Sequence, residues 1–112
     1  MSQAFPQADR LKRPREFRRV FDGGRKQVGR YFVAFARPNQ GHRSRLGLAV
    51  SRKVGNAVLR NRLKRLVREE FRRYRAFEAQ DVVVVARTAA AGAHRTALVE
   101  DLHRLWQRLA NA

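Results

Sequence analysis

Glu69-Glu70 and Glu100-Asp101 are the adjacent carboxylate pairs of the chain, and such pairs are the first candidates for metal-assisted or general acid–base chemistry. Both fall in helical patterns, where neighbouring side chains point about 100° apart, so neither pair converges on one ion or one water. His42, His94 and His103 are scattered, and surface or capping roles suit them better than catalysis. The absence of cysteine excludes thiolate ligands, thiol nucleophiles and disulfides. The residues that carry chemistry are cations. Between Arg60 and Arg75 stand eight cations and two acids. Wound into a helix, Asn61, Lys64, Arg65, Arg68, Arg72 and Arg75 occupy an arc of roughly 100° opposite an apolar stripe. Such a face suits RNA phosphates. The competing reading is a solvated face with intrahelical pairs, since Glu69 lies four residues after Arg65 and four before Arg73. Two acids cannot neutralise eight cations, so RNA contact is favoured. Arg60 sits at the border of the apolar stripe, placed either to reach toward the sheet or to snorkel into water.

Ahead of this helix, Ser51-Arg52-Lys53-Val54-Gly55-Asn56 is a basic turn running into a helix N-terminus, where backbone N–H groups and two cations suit a phosphate. The glycine spacing is wrong for a nucleotide-binding loop. The whole chain has the same bias: 26 Lys and Arg against 9 Asp and Glu, a formal net charge of +17, in 112 residues that are 44% hydrophobic. The length gives one domain, the apolar fraction gives it a core, and the charge calls for a polyanionic partner. No stretch approaches the roughly 18 apolar residues of a membrane span, and the N-terminus has no signal-peptide core, so a cytoplasmic location is expected.

The elements that must position these residues follow from periodicity. Residues 1–12 are polar and expected to be frayed. Pro14 opens a first helix with Phe17, Val20 and Phe21 on one face, closed by Gly23 and Gly24. Strands are expected at Tyr31–Arg37 and Arg45–Ser51 around a Pro38–Gly41 turn, with a short edge strand at Arg25–Gly29. Asn56 is an N-cap for a helix running to about Phe77, with a stripe of Leu59, Leu63, Leu66, Val67, Phe71, Tyr74 and Phe77. Asp81–Arg87 reads as a strand buried on both faces. Thr88–Ala93 is a loop, and Arg95–Leu109 a final amphipathic helix. The expected architecture is α+β: a single domain in the order α-β-β-(β)-α-β-α, one four-stranded sheet packed with helices.

The run from Ser51 to Glu69, with its centre Arg60-Asn61-Arg62 followed by Lys64-Arg65 and Arg68, resembles the signature of the bacterial ribonuclease P protein family. The flanks agree: Phe17 with Val20-Phe21 and Gly24, Leu46-Gly47-Leu48 before Val50-Ser51, and Asp81 to Arg87. The resemblance spans about Arg10 to Leu109. It implies the protein subunit of an RNA-catalysed endoribonuclease, in which a large RNA with bound magnesium ions removes the 5′ leader of precursor tRNA. The protein would bind that RNA and the single-stranded leader, carry no catalytic residue, metal or cofactor of its own, and need no protein partner. It also implies a left-handed βαβ crossover, where sequence rules alone select the right-handed one. Carried over, the leader cleft would use Phe17, Phe21 and Phe35, whose rings can accept unstacked bases. Taken singly, each phenylalanine reads as core. Tyr31 and Val33 would share the face of Phe35, with Phe32 and Ala34 turned into the core. Gly47, Ala49 and Ser51 would leave room for RNA, although Ala49 stands where the family often has a hydroxyl. Ser51, Arg52, Lys53, Asn56, Arg60 and Asn61 would join the leader site, and Arg60, Arg62, Lys64, Arg65, Arg68 and Arg72 the catalytic-RNA site.

Overall fold

The computed structural model describes residues 10–41, 43–74 and 79–111. Pro14–Gly23 forms helix α1, with proline at its first turn, where a missing N–H costs nothing. The Glu16 carboxylate fastens this turn by accepting from the backbone N–H groups of Lys12 (3.1 Å) and Arg13 (3.0 Å). Strands β1 (Arg25–Val28), β2 (Phe32–Pro38) and β3 (Arg45–Ala49) follow, then helix α2 (Ala57–Arg73), strand β4 (Gln80–Ala86), a short 3-10 turn at Thr88–Gly92 and helix α3 (Arg95–Asn111). The expected single α+β domain and element order are the observed ones. The short edge strand is present as β1.

The sheet runs β1-β2-β4-β3, with β3 parallel to β4 and the other pairs antiparallel. Helix α2 makes the βαβ connection between β3 and β4. One sheet face, with Phe32, Ala34, Ala36, Leu46, Val82 and Val84, packs against Leu63, Leu66, Val67 and Phe71 of α2 and against Leu98, Leu102, Leu105, Trp106 and Leu109 of α3. On the other face Val83 packs with Val20 and Leu11, flanked by Phe17, Phe35 and Val85. Lying second from the edge with packing on both sides, β4 has to be apolar throughout, which explains its run of four valines.

Three features differ from expectation. Helix α2 stops at Arg73: Tyr74 turns extended (φ −84°, ψ 115°), its N–H still donating to Glu70 and Phe71 carbonyls. The expected last turn with Arg75 and Phe77 lies outside the described residues, as do residues 1–9 and His42. At the N-terminus, Leu11 is buried and donates its N–H to the Leu46 carbonyl at 3.0 Å, so residues 10–11 add a bridge to the outer edge of β3. Finally, three acids among the described residues are buried. Asp101 accepts from the N–H groups of Arg30 (3.0 Å), Tyr31 (2.9 Å) and Phe32 (3.1 Å), locking the β1–β2 turn onto α3. A Cβ at Gly29 would lie 2.6 Å from that carboxylate, so only glycine fits there. Asp81 holds Arg45 through two bonds of 2.9 and 2.8 Å and also accepts from Asn39. Glu70 meets the ring of His103 at 2.8 Å, while its neighbour Glu69 reaches Arg95 of α3 rather than Arg65 or Arg73. Each adjacent carboxylate pair thus sends one acid inward and the other outward.

Candidate RNA-binding surface

Helix α1 lies across β2 and β4 on the less covered sheet face. Its spacing of four puts Phe17 and Phe21 on the sheet side, where their ring centroids are 6.5 Å apart. Phe21 then meets Phe35 of β2 edge-on, centroids 4.8 Å apart and planes at 84°. The pairing is a favourable aromatic geometry, yet the site is not closed over: Phe21 is 39% exposed and the other two rings are half-buried. Lys26, the register partner of Phe35 on β1, holds its ammonium 5.8 Å from the Phe35 ring centroid. The three phenylalanines named from the sequence therefore come together as one open patch with a cation at its edge.

Gly47 plays a different part from the one expected. A Cβ there would lie 2.7 Å from the Phe17 ring and 3.1 Å from Leu11. Its smallness seats Phe17 and Leu11 on the sheet; the room it provides is already filled. Half-exposed Ala49 and exposed Ser51 continue the open floor beyond. Tyr31 also departs from the simple alternation. It precedes β2, packs partly against the large core on the opposite face, and carries the Arg30 guanidinium 5.5 Å from its ring.

The Ser51–Asn56 turn is built by its own polar groups. Ser51 Oγ accepts from Lys53 N–H at 3.2 Å, and Asn56 Oδ1 caps α2 by accepting from Leu59 N–H at 2.9 Å. Buried Val54 anchors the turn, leaving the Arg52 and Lys53 side chains exposed. Arg60 folds back, its Nε donating to the Gly55 carbonyl at 3.2 Å, so its stem stays on the core edge and it braces the turn. Along α2, Asn61, Arg62 and Arg65 are exposed, and Lys64, Arg68 and Arg72 are half-buried. The Arg68 guanidinium is the perturbed cation: burial lowers its pKa most, and nearby Arg10 adds to the effect. Arg10 and Lys12 beside the motif helix, and Lys26 beside Phe35, were not singled out from sequence. Cross-strand register is the signal that finds Lys26; an isolated Leu11 between cations is the signal for the N-terminal segment.

A cavity of about 730 Å³ at the β2–β3 turn is less apt for a ligand despite lining arginines. Arg45 there is taken by Asp81 and by Glu16 (3.0 Å), and Arg37 donates to the Arg19 carbonyl at the end of α1. Among the described residues no three His, Asp or Glu side chains converge to hold a metal ion, and no helix is long and apolar enough to cross a membrane.

The chain matches the family model described as Ribonuclease P over residues 5–110. It belongs to the ribonuclease P protein family. The ribonuclease P protein component of Thioalkalivibrio sulfidiphilus is 43% identical over 111 residues, covering 97% of this chain and 92% of that protein. That of Methylococcus capsulatus is 44% identical over 104 residues, covering 91% and 81%. The solved RNase P protein of Staphylococcus aureus superposes with a TM-score of 0.85 at 34% identity, over 90% of this chain and 94% of that one. For the Thermotoga maritima RNase P protein the score is 0.79 at 36% identity, over 92% and 96%. The ribonuclease P protein fold thus covers 90–92% of the chain in these two superpositions, and the Arg60–Arg68 motif occupies the crossover helix α2.

Proposed function

We propose that this chain binds the catalytic RNA of ribonuclease P through the outward cations of α2 and holds the single-stranded 5′ leader of precursor tRNA against Phe17, Phe21 and Phe35. It acts as the protein subunit of ribonuclease P in maturation of the tRNA 5′ end. The observation that carries the leader-holding role is the half-exposed Phe21–Phe35 pair, open to solvent with the Lys26 ammonium at its edge. Aromatic faces take unstacked bases whatever their sequence, which is what a subunit serving many different leaders requires. Arg52 and Lys53, exposed on a turn braced by Ser51, Asn56 and Arg60, extend the rim along the leader path. Asn61, exposed on α2, is assigned to the leader site as well, whereas Tyr31, which packs toward the core on the opposite sheet face, is not. Arg62, Lys64, Arg65, Arg68 and Arg72 serve the catalytic RNA, with Arg60 at the boundary. Magnesium ions on that RNA supply the chemistry of hydrolysis; this chain positions and neutralises. Its place of work is the cytoplasm, without a further protein partner.

The test is cleavage of precursor tRNA by a bacterial ribonuclease P RNA at low magnesium, with and without this chain. Cleavage at the mature 5′ end that needs both components is the expected result. Cleavage by the protein alone would make it a nuclease in its own right. Tight RNA binding with no effect on cleavage would make it an assembly or ribosomal protein.

A further inference from the structure

Helix α1 carries two of the three rings of the aromatic patch, so its seat on the sheet decides how those rings stand to Phe35. Apolar burial alone does not fix that seat. The helix has ten residues, short for a stable helix by itself, and Val20 is its one buried side chain. Phe17 and Phe21 cannot sink further without closing the faces that unstacked bases would use. A polar row on the sheet beneath supplies the missing constraint. Arg37, Asp81 and Arg45 are direct register partners across β2, β4 and β3. They stand two residues along from Phe35, Val83 and Gly47, which are partners in the same way, so both rows face α1. Two arginines of the polar row reach the helix. Arg45 donates to Glu16 of the first turn at 3.0 Å, while two further donors, at 2.9 and 2.8 Å, hold it to Asp81. Arg37 lies against Gly23 and donates to the Arg19 carbonyl at 3.3 Å, toward the other end. Asp81 is steadied in turn by Asn39 at 2.8 Å, and the second Glu16 oxygen by the Lys12 and Arg13 N–H groups. The link is shielded from solvent, with side-chain exposures of 30% for Arg45, 21% for Glu16 and 10% for Asp81. Hydrogen bonding to Asp81 raises the Arg45 pKa most, against an opposing burial effect, and the Asp81 and Glu16 charges add to the rise. A planar fork that bridges two carboxylates fixes distance and angle together, which the point charge of a lysine does not.

We propose that the Arg37–Asp81–Arg45 row is a positioning device for the leader site: it clamps α1 to the sheet toward both ends and so sets the stance of Phe17 and Phe21 over Phe35. The proposal rests on the leader-holding reading above and adds to it three residues that act through α1 rather than on RNA. Arg45 is the centre of the device, because its partner Glu16 directly precedes Phe17.

Glu16→Gln is the gentlest break. Its amide oxygen can still accept from the Lys12 and Arg13 N–H groups, and Arg45 keeps Asp81, so the fold survives while the bridge loses its charge. On the enzyme assembled with this variant, precursor-tRNA affinity should fall about tenfold, roughly the loss of one stacked base, with mature-tRNA affinity unchanged. In the free protein the nuclear Overhauser cross-peak between the Phe21 and Phe35 rings should weaken. Arg45→Lys should act in the same way, and adding Glu16→Gln to it should cause little further loss, because the two residues form one link. Trp106→Phe, in the core on the other sheet face, controls for stability: it should lower the unfolding midpoint and keep the preference for precursor. Unchanged precursor affinity or an unchanged cross-peak in Glu16→Gln and Arg45→Lys would overturn the clamp. Equal losses for precursor and mature tRNA, or a matching loss of preference in Trp106→Phe, would also overturn it, since stability alone would then explain the effect. Phe21→Ala separates the two levels. If it loses precursor affinity while the clamp variants do not, the clamp fails and the leader-holding reading stands. If it keeps full precursor affinity, the leader-holding reading itself fails.

Discussion

Replacing Phe21 by Ala is the sharpest probe of the leader site, because this ring is the most exposed of the three and the least needed by the fold. It is 39% exposed, and its ring pairs with Phe35 in a T-shaped arrangement with centroids 4.8 Å apart. Losing that aromatic pair costs about 0.5–1.5 kcal/mol beyond the area it covers, which a domain with roughly 5–15 kcal/mol of stability survives. If a leader base stacks on the ring, binding loses about 1–3 kcal/mol in addition. At 1.4 kcal/mol per tenfold, that is about 5- to 140-fold in affinity. The assay is equilibrium binding of precursor tRNA and of mature tRNA to the enzyme assembled with wild-type or variant protein. Precursor affinity should fall within that range and mature-tRNA affinity should stay put, since mature tRNA has no leader to stack. Phe21→Leu separates stacking from packing: it keeps apolar contact with Phe35 but offers no aromatic face, so it should fold like wild type and still lose precursor binding. Equal losses for both tRNAs, or full precursor affinity in Phe21→Ala, would refute the reasoning and return Phe21 to an ordinary packing role.

Replacing Arg65 and Arg68 together by Ala should weaken RNA binding and flatten its salt dependence by up to about two ion equivalents, read from affinities across a salt series; an unchanged slope removes the phosphate role of that face. Asp101→Ala strands three N–H groups at the β1–β2 turn. At about 1–3 kcal/mol for the buried Phe32 donor left unpaired, with less for the part-buried Arg30 and Tyr31 donors, it should cost about 2–4 kcal/mol in denaturant unfolding, more than exposed Asp22→Ala. Glu16 gives a pH dependence of known sign. Its carboxyl sits below its ordinary value of 4.5, mainly because Arg13 N–H donates to it, with Lys12 N–H and Arg45 assisting against an opposing burial effect. A depressed folded-state pKa contributes stability above 4.5 that is lost as pH falls through the folded value, so Glu16→Gln should narrow the stability gap between pH 6 and pH 3 in thermal unfolding.

What could be read from the chain beforehand was what depends on local period. The stripe Leu63, Leu66, Val67, Phe71 announces α2 and its buried face; the alternation of Phe32, Ala34 and Ala36 announces the inner face of β2; four consecutive valines announce a strand covered on both sides. The Arg60–Arg68 run pointed to the correct family, and the structure brought its three phenylalanines into one patch. What could not be read depends on partners far away in sequence. Asp101 looks like any surface acid until its hydrogen bonds, some 70 residues back, are seen. Gly47 looks like open space until Phe17 occupies it. The end of α2 carries no stop signal such as glycine or proline, and Arg10–Leu11 joins β3 through a single bridge too short to leave a pattern.

The sheet order β1-β2-β4-β3 sets a schedule for making the protein. Strand β3 emerges from the ribosome well before β4, yet among the described residues its one neighbouring strand is β4, and its other edge has only the Arg10 bridge. β2 likewise waits for β4 on one side. A nascent chain ending before residue 80 therefore displays the fully charged α2 with no completed sheet to carry it. Closing the β3–β4 pair is a non-local step, and such steps set the pace of folding. Unfinished chains can attract RNA by charge alone, but Phe17, Phe35 and Val83 meet only once the last strand is in place, so the aromatic patch opens for work only on a completed molecule.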